Sequence, residues 1–440
     1  MSISIAELNQ QIAAQAVQVP AIYGRVDFSI KPERFADGPR DQTQLAAEFA
    51  PRRPELLANK EQVARIKAYT WHGDPVADAY ATLMPEHGAH RLIMMLQDAC
   101  DRGVENVAGA PPELTAFIRA MERFPAWLDW KLIEEGARIE RNAYAHRAPF
   151  VIRGGMIGTF VNKYSALPMA LTGSLSSKTA GRRVHETATF FTTTVIPGAL
   201  DRYGAGFKAA AMVRLMHSMV RFNVLHRGDQ WDVKTYGIPI PQVDQMPAGL
   251  SSIFPLAQKA VREGRTSFTS AERARVEIAR YRCVLLGLPE DLLADTPQGI
   301  VDIMLTRFAT LRKGFDDTCS ALVRATMTAD LTLEPTWRGR FNARLERGFS
   351  KLFFIARAMR GDKQAAAKVG VKVGFGDYVA ALTAGVVIAA TMIPYAVAAR
   401  IPLLREAADR SLIRKLSRLL AGYGHAEFTT NTASYHPAHS

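Results

Sequence analysis

Cysteine is scarce in this chain. Cys100, Cys283 and Cys319 are the three in 440 residues, far apart and odd in number. No Cys-x-x-Cys pair, zinc spacing or disulfide framework can be built from them, and such usage fits a reducing compartment. The first 30 residues lack a basic stretch followed by an apolar one, and lack twin arginines. No export signal is therefore expected, and a cytoplasmic location is. The His-Glu-x-x-His, Gly-x-Ser-x-Gly, Walker and dinucleotide fingerprints are missing. Gly154, Gly155 and Gly158 imitate a glycine-rich turn, but no strand pattern precedes them. Alternating strands with hairpin turns are also missing, which leaves an all-α class. Nor is the chain short of apolar residues: 48% hydrophobic and 22% charged are values for a protein with a core.

What is present begins with charge. Lys and Arg number 55 against 42 Asp and Glu, a net charge of +13. A surplus of that size suits nucleic acid or an anionic membrane. Between Trp337 and Tyr423 there are 16 Lys and Arg and 5 Asp and Glu, so this stretch carries +11 of the total. It brackets Val379–Ala399, a run without a charge. As a helix the run spans ~31 Å, enough for a bilayer core. A buried core helix would read the same way, and a single pass stays open. Phe341, Leu345, Phe349, Leu352 and Phe353 stripe a basic helix before it. Leu412, Ile413, Leu416, Leu419 and Leu420 stripe another after it, with Arg410, Arg414, Lys415 and Arg418 on the other faces. Basic amphipathic flanks favour membrane contact over 341–420, and no nucleic acid. The tail from Gly424 reads as disordered.

Residues 1–59 read as a proline-rich arm with only short packed pieces. From Lys60 the spacing turns helical, as at Leu92, Met95, Leu96 and Ala99. Pro111-Pro112 opens a helix, and Asp129–Ala145 continues in that style. Thr187–Val195 has strand propensity. The spacing of Arg183, Thr187, Phe191 and Thr194, with Pro197-Gly198 as the stop, predicts a helix instead. Phe207–Leu225 is the clearest helix, Trp231–Asp244 a loop, and Phe254–Gly264 and Ser270–Gly287 two more helices. Arg273 follows Ser270 by three, so no capping box is expected there. The expected division is 1–59, a helical domain over 60–335, basic helices over 336–423, and 424–440.

Two clusters invite chemistry. Arg214, His217 and Arg221 share one helical face among Met, Val and Leu. A histidine there needs a partner. Haem iron with arginines on its propionates is one answer; a hydrogen-bonded core histidine between ion-paired arginines is the other, and spacing alone favours the second. Arg183, Glu186 and Thr187 form the other cluster. A hydroxyl, a carboxylate and a guanidinium near a metal can steer protons to dioxygen, and the same residues also suit a salt-bridged helix start.

Short segments in a shared order then carry a resemblance. They are Gly73-Asp74-Pro75-Val76-Ala77-Asp78; Phe124-Pro125-Ala126-Trp127-Leu128-Asp129; Arg183 with Thr187; Val213-Arg214-Leu215-Met216-His217 with Val220-Arg221; Tyr236-Gly237-Ile238-Pro239-Ile240-Pro241-Gln242 with Asp244; and Tyr281-Arg282 with Leu285-Leu286-Gly287. Over roughly 60–330 the chain resembles the latex-clearing-protein type of rubber oxygenase and the wider oxygenase family around it. The resemblance implies an all-α fold holding one haem b, with His217 as the proximal iron ligand. It implies Arg183 and Thr187 on the distal side. Rubber-cleaving members have a lysine before that threonine, and this chain has Glu186. Their upstream carboxylate has no counterpart over 160–180. The expected function is a membrane-associated haem oxygenase using dioxygen on a hydrophobic, isoprenoid- or lipid-like small molecule. In that reading Arg214 and Arg221 pair with propionates, and Arg183, Glu186 and Thr187 line the dioxygen side. The alternative is a non-catalytic membrane-associated binding module of the same fold.

Overall fold

The computed structural model describes residues 3–172, 179–226 and 231–424. The described chain is helical, as expected. Among the described residues no strand forms; Phe35 pairs with Leu311 and Thr43 with Arg312 in isolated β-bridges. The expected disordered tail, with His436 and His439, lies outside the described residues.

The chain forms two compact units, and neither is contiguous. One comprises Met1–Gly136 and Leu200–Lys313, the other Ala137–Ala199 and Gly314–Ser440. These boundaries differ from the expected ones at 59 and 335.

In the first unit the N-terminal stretch is not an arm with short pieces. Ile5–Gln18 is a helix of 14 residues. No proline occurs before Pro20, so Leu8 and Ile12 can continue one buried stripe. Its start is a capping box: Ser4 Oγ accepts from the Glu7 amide at 3.2 Å, and Glu7 Oε2 accepts from the Ser4 amide at 2.8 Å. Near its end, buried Gln15 donates to the Trp71 carbonyl and accepts from the Gly73 amide. Ser270–Leu285 also has a capping box, where none was expected from Ser270, because Thr269 is the cap and Glu272 its partner. Trp231–Asp244 is not all loop. Asp232 caps a one-turn helix, Val233–Tyr236, and the Gln242–Leu250 helix begins inside it.

The second unit packs Met156, Ile157, Phe160, Val184, Val323, Met327 and Phe354 into one core. Ala180–Thr193 is a helix, so β propensity yields to the helical spacing of its buried residues. Gly154 lies within the Ala148–Ile157 helix, and a Cβ there would meet the Phe353 ring at 2.7 Å. Its role is close packing. Arg153 is fully buried and grips Glu346 through Nε and Nη2, while Nη1 donates to the carbonyls of Thr326, Met327 and Ala329. The uncharged run becomes the Phe375–Ala398 helix, which packs along Trp337–Arg357. In its most apolar window only 22% of residues are buried, so it is not a core helix.

Candidate functional site

Asp74 starts the first unit's site. Its side chain caps the Pro75–Ala81 helix, with proline suited to the first turn. One turn later comes Asp78. Both carboxylates meet the Ala205–His226 helix. Arg214 Nε and Nη2 hold Asp74 at 2.7 and 2.8 Å, a bidentate pair. Arg221 Nε holds Asp78 at 2.8 Å, Nη1 donates to the Ile240 carbonyl, and Nη2 to Ser218 Oγ. The Tyr23 hydroxyl donates to Asp78 at 2.5 Å. Burial, and then the Asp78 charge, push the Tyr23 phenol well above its ordinary range, so it stays a donor. Burial would raise the Asp74 carboxyl, but Arg214 outweighs it and holds the group below its ordinary value. Burial disfavours the Arg221 charge, and Asp78 reverses that.

Two glycines make this approach possible. A Cβ on Gly73 would collide with the Tyr23 hydroxyl. Gly287 has φ +86°, and a Cβ there would press on Arg214 Nε and Asp74 Oδ2 at 2.9 Å.

Beside the carboxylates, burial pushes the His72 imidazole down to about 4, against the pull of Asp74 and Asp78. Between that value and its ordinary 6.5 the unfolded chain binds more protons than the folded one. This contribution to stability is whole above the upper value and is lost as pH falls toward the lower. Thermal unfolding should drop more steeply with acidification in the wild type than in His72→Asn; parallel curves would rule the linkage out.

His217 is half-buried, and its Nδ1 lies 3.1 Å from Gln245 Oε1. The direction of that contact follows from a chain of amides. Gln242 must turn Nε2 to the Gly73 carbonyl, 2.8 Å away, because that oxygen only accepts. Its Oε1 then accepts from Gln245 Nε2 at 3.1 Å. Gln245 is left with Oε1 toward His217, so Nδ1 is the donor in that contact. A hydrogen-bonded Nδ1–H that orients the ring is the usual support for a metal-ligating histidine.

A haem iron asks for one imidazole rather than a cluster, and His217 with its Nδ1 toward Gln245 is a donor of that kind. Burial pushes all three cysteine thiols up to about 12, which disfavours a thiolate ligand.

The second cluster belongs to the second unit. Arg183 Nη1 and Glu186 Oε2 form a buried ion pair at 2.8 Å. The Thr187 hydroxyl donates to the Arg183 carbonyl at 3.0 Å, one turn back. The structure thus brings Arg183 and Glu186 together and ties Thr187 to its own helix.

Spacing alone favoured ion-paired arginines over propionate contacts at Arg214 and Arg221, and both guanidinium groups are engaged by Asp74 and Asp78, whose side chains are almost wholly buried. Sequence reasoning quoted those aspartates and Gln242 without giving them a role. It missed Gln245, for which nothing in the spacing gave a signal.

A sequence model of the family described as ER-bound oxygenase mpaB/B′/rubber oxygenase, catalytic domain, matches residues 143–370, just over half of the chain. The match takes in Arg183, His217 and Gln245 and ends before Phe375. Among solved structures the chain is similar to latex clearing protein in its closed state. The TM-score is 0.55 at 17% identity, over 80% of this chain and 91% of that one. At that identity the likeness is one of fold. A search of curated proteins found no match.

Proposed function

The chain belongs to the family of ER-bound mpaB oxygenases and rubber oxygenases, and on that premise we propose that it is a haem b-dependent oxygenase. Its substrates are dioxygen and a hydrophobic, isoprenoid- or lipid-like small molecule, met at a membrane on the cytoplasmic side. The observation that carries this reading is the Gln242–Gln245–His217 chain, in which Nδ1 of a half-buried imidazole faces an amide oxygen.

Haem, when bound, supplies the iron at which dioxygen is activated. His217 would hold that iron through Nε2. Gln245 keeps the imidazole oriented and its Nδ1 protonated, and Gln242 fixes Gln245. Arg214 and Arg221 are positioning residues: their ion pairs seat the helix that presents His217. We assign proton handling to Arg183, Glu186 and Thr187. Glu186 is the acceptor there, and Arg183 orients its carboxylate through their ion pair.

The test is the absorption spectrum of purified protein titrated with haem. A Soret band is expected, lost or shifted in His217→Ala. No band in the wild type, or one indifferent to that substitution, overturns the reading. In Gln245→Leu the imidazole loses its acceptor, and haem affinity should fall roughly 10- to 100-fold. An affinity equal to wild type would deny the amide chain its role.

A further inference from the structure

We propose that the Phe375–Ala398 helix attaches the protein to an anionic lipid leaflet by lying in its plane, one apolar edge immersed, without crossing it. The inference takes membrane contact from the reading above and adds its mode and the lipid charge; it does not depend on haem.

The edge is continuous. Phe375, Val379, Leu382, Val386, Ile393 and Val397 are 84, 48, 73, 61, 59 and 50% exposed. Steps of four, three, four, seven and four keep them within one narrow arc of the helix. Over 22 steps the line runs ~33 Å. The next helix, Pro402–Tyr423, extends it with exposed Leu403 and Leu404. A soluble monomer rarely leaves so much apolar surface contiguous and uncovered.

The opposite face decides against crossing. Ala380, Ala381, Ala384 and Ile388 are buried. A Cβ on Gly348 would stand 2.7 Å from the Ala380 methyl, so the two helices touch closely. Contacts with polar neighbours hold this face from end to end. Asp377 pairs with Lys351 at 2.9 Å, the Met392 carbonyl accepts from Asn142 at 3.0 Å, and the Tyr395 hydroxyl meets Ser411 Oγ at 2.9 Å. The Trp337–Arg357 partner carries Arg338, Arg340, Arg344, Arg347 and Lys351. A transmembrane pose would draw these cations toward the hydrocarbon centre, where each is costly. The in-plane pose leaves them on the water side.

Charge selects the lipid. Lys368 and Lys372 precede the helix and Arg400 follows it, all exposed. Cations at both ends of an immersed apolar line complement anionic headgroups.

The full chain is mixed with vesicles of phosphatidylcholine alone or with phosphatidylglycerol, and bound protein is sedimented. Binding to the mixed vesicles is expected, weakened by salt and weakened at least roughly tenfold by Leu382→Gln with Val386→Gln. Both positions are exposed, so the fold should tolerate the change. Equal binding to pure phosphatidylcholine overturns the anionic selection. Failure to bind either vesicle, with a dimer that the same double substitution dissolves, assigns the edge to a second copy and overturns the proposal. Mode is read with Lys372→Cys and Leu403→Cys, since the native cysteines are buried. In sealed membrane vesicles an impermeant maleimide should reach both from the same side; labelling from opposite sides means the helix crosses. A protein without a Soret band that still binds vesicles this way would cost the haem reading and leave this one standing.

Discussion

Arg221→Met should destabilise the protein by about 3–5 kcal/mol, seen as a fall in the denaturant midpoint followed by circular dichroism. The reason is what stays behind. Asp78 has no exposed side-chain surface. Without Arg221 its carboxylate keeps the Tyr23 hydroxyl and the Asp74 amide, two donors that bring no positive charge. The Ile240 carbonyl and Ser218 hydroxyl lose a donor too. Adding Asp78→Leu to Arg221→Met removes the stranded charge and should restore part of the loss, because a buried pair is worth less than the cost of breaking it. A single variant within about 1 kcal/mol of wild type would show that the pair is not the clamp described above. His217→Ala provides the contrast. That side chain is half-buried, so its removal should erase haem binding while leaving the midpoint within roughly 1 kcal/mol.

Glu346→Ala should cost a similar ~3–5 kcal/mol in the second unit. Arg153 would keep its three carbonyl acceptors and lose the anion that holds Nε and Nη2. The Ser350 hydroxyl would lose one of its two acceptors and keep the Phe150 carbonyl. Glu346→Gln retains one acceptor oxygen and should fall between wild type and Glu346→Ala. Equal stability of all three proteins in denaturant would refute the assignment. The two clamps differ in kind. Arg221 reaches a residue 143 positions earlier and shares it with a tyrosine. Arg153 gathers three backbone carbonyls and one carboxylate about its own guanidinium, which fixes the Thr326–Ala329 corner.

Helix type was legible wherever one face repeats every three to four residues. Thr187–Val195 shows this, since its threonines and phenylalanines favour strands locally while Arg183, Thr187 and Phe191 align on a helix. The N-terminal helix was hidden by prolines that belong to the segment after it. The capping box at Thr269 was missed by one residue, because a cap is defined by backbone turn geometry that composition does not carry. In the site, His217 and its two arginines were visible as a face. Their partners were not, for Asp74 and Asp78 lie about 140 residues away and meet that face only in the folded chain. Gln245 was invisible for the same reason: its amide matters through which neighbour must donate. Whether the uncharged run was core or surface could not be decided from its residues, and its low burial in the folded chain decided it.

The chain passes from one unit to the other at residues 136, 199 and 313. During synthesis the first 136 residues must therefore wait for the segment from Leu200 onward. At ribosomal speed that wait is on the order of ten seconds, with an apolar surface and the Asp74 and Asp78 carboxylates waiting for partners not yet made. Chaperone dependence in expression is the natural outcome. Trimming offers no escape. A fragment cut to residues 143–370 would hold parts of both units and carry Arg214 and Arg221 without their aspartates, so the catalytic region recognised by sequence is smaller than the piece of chain that can fold.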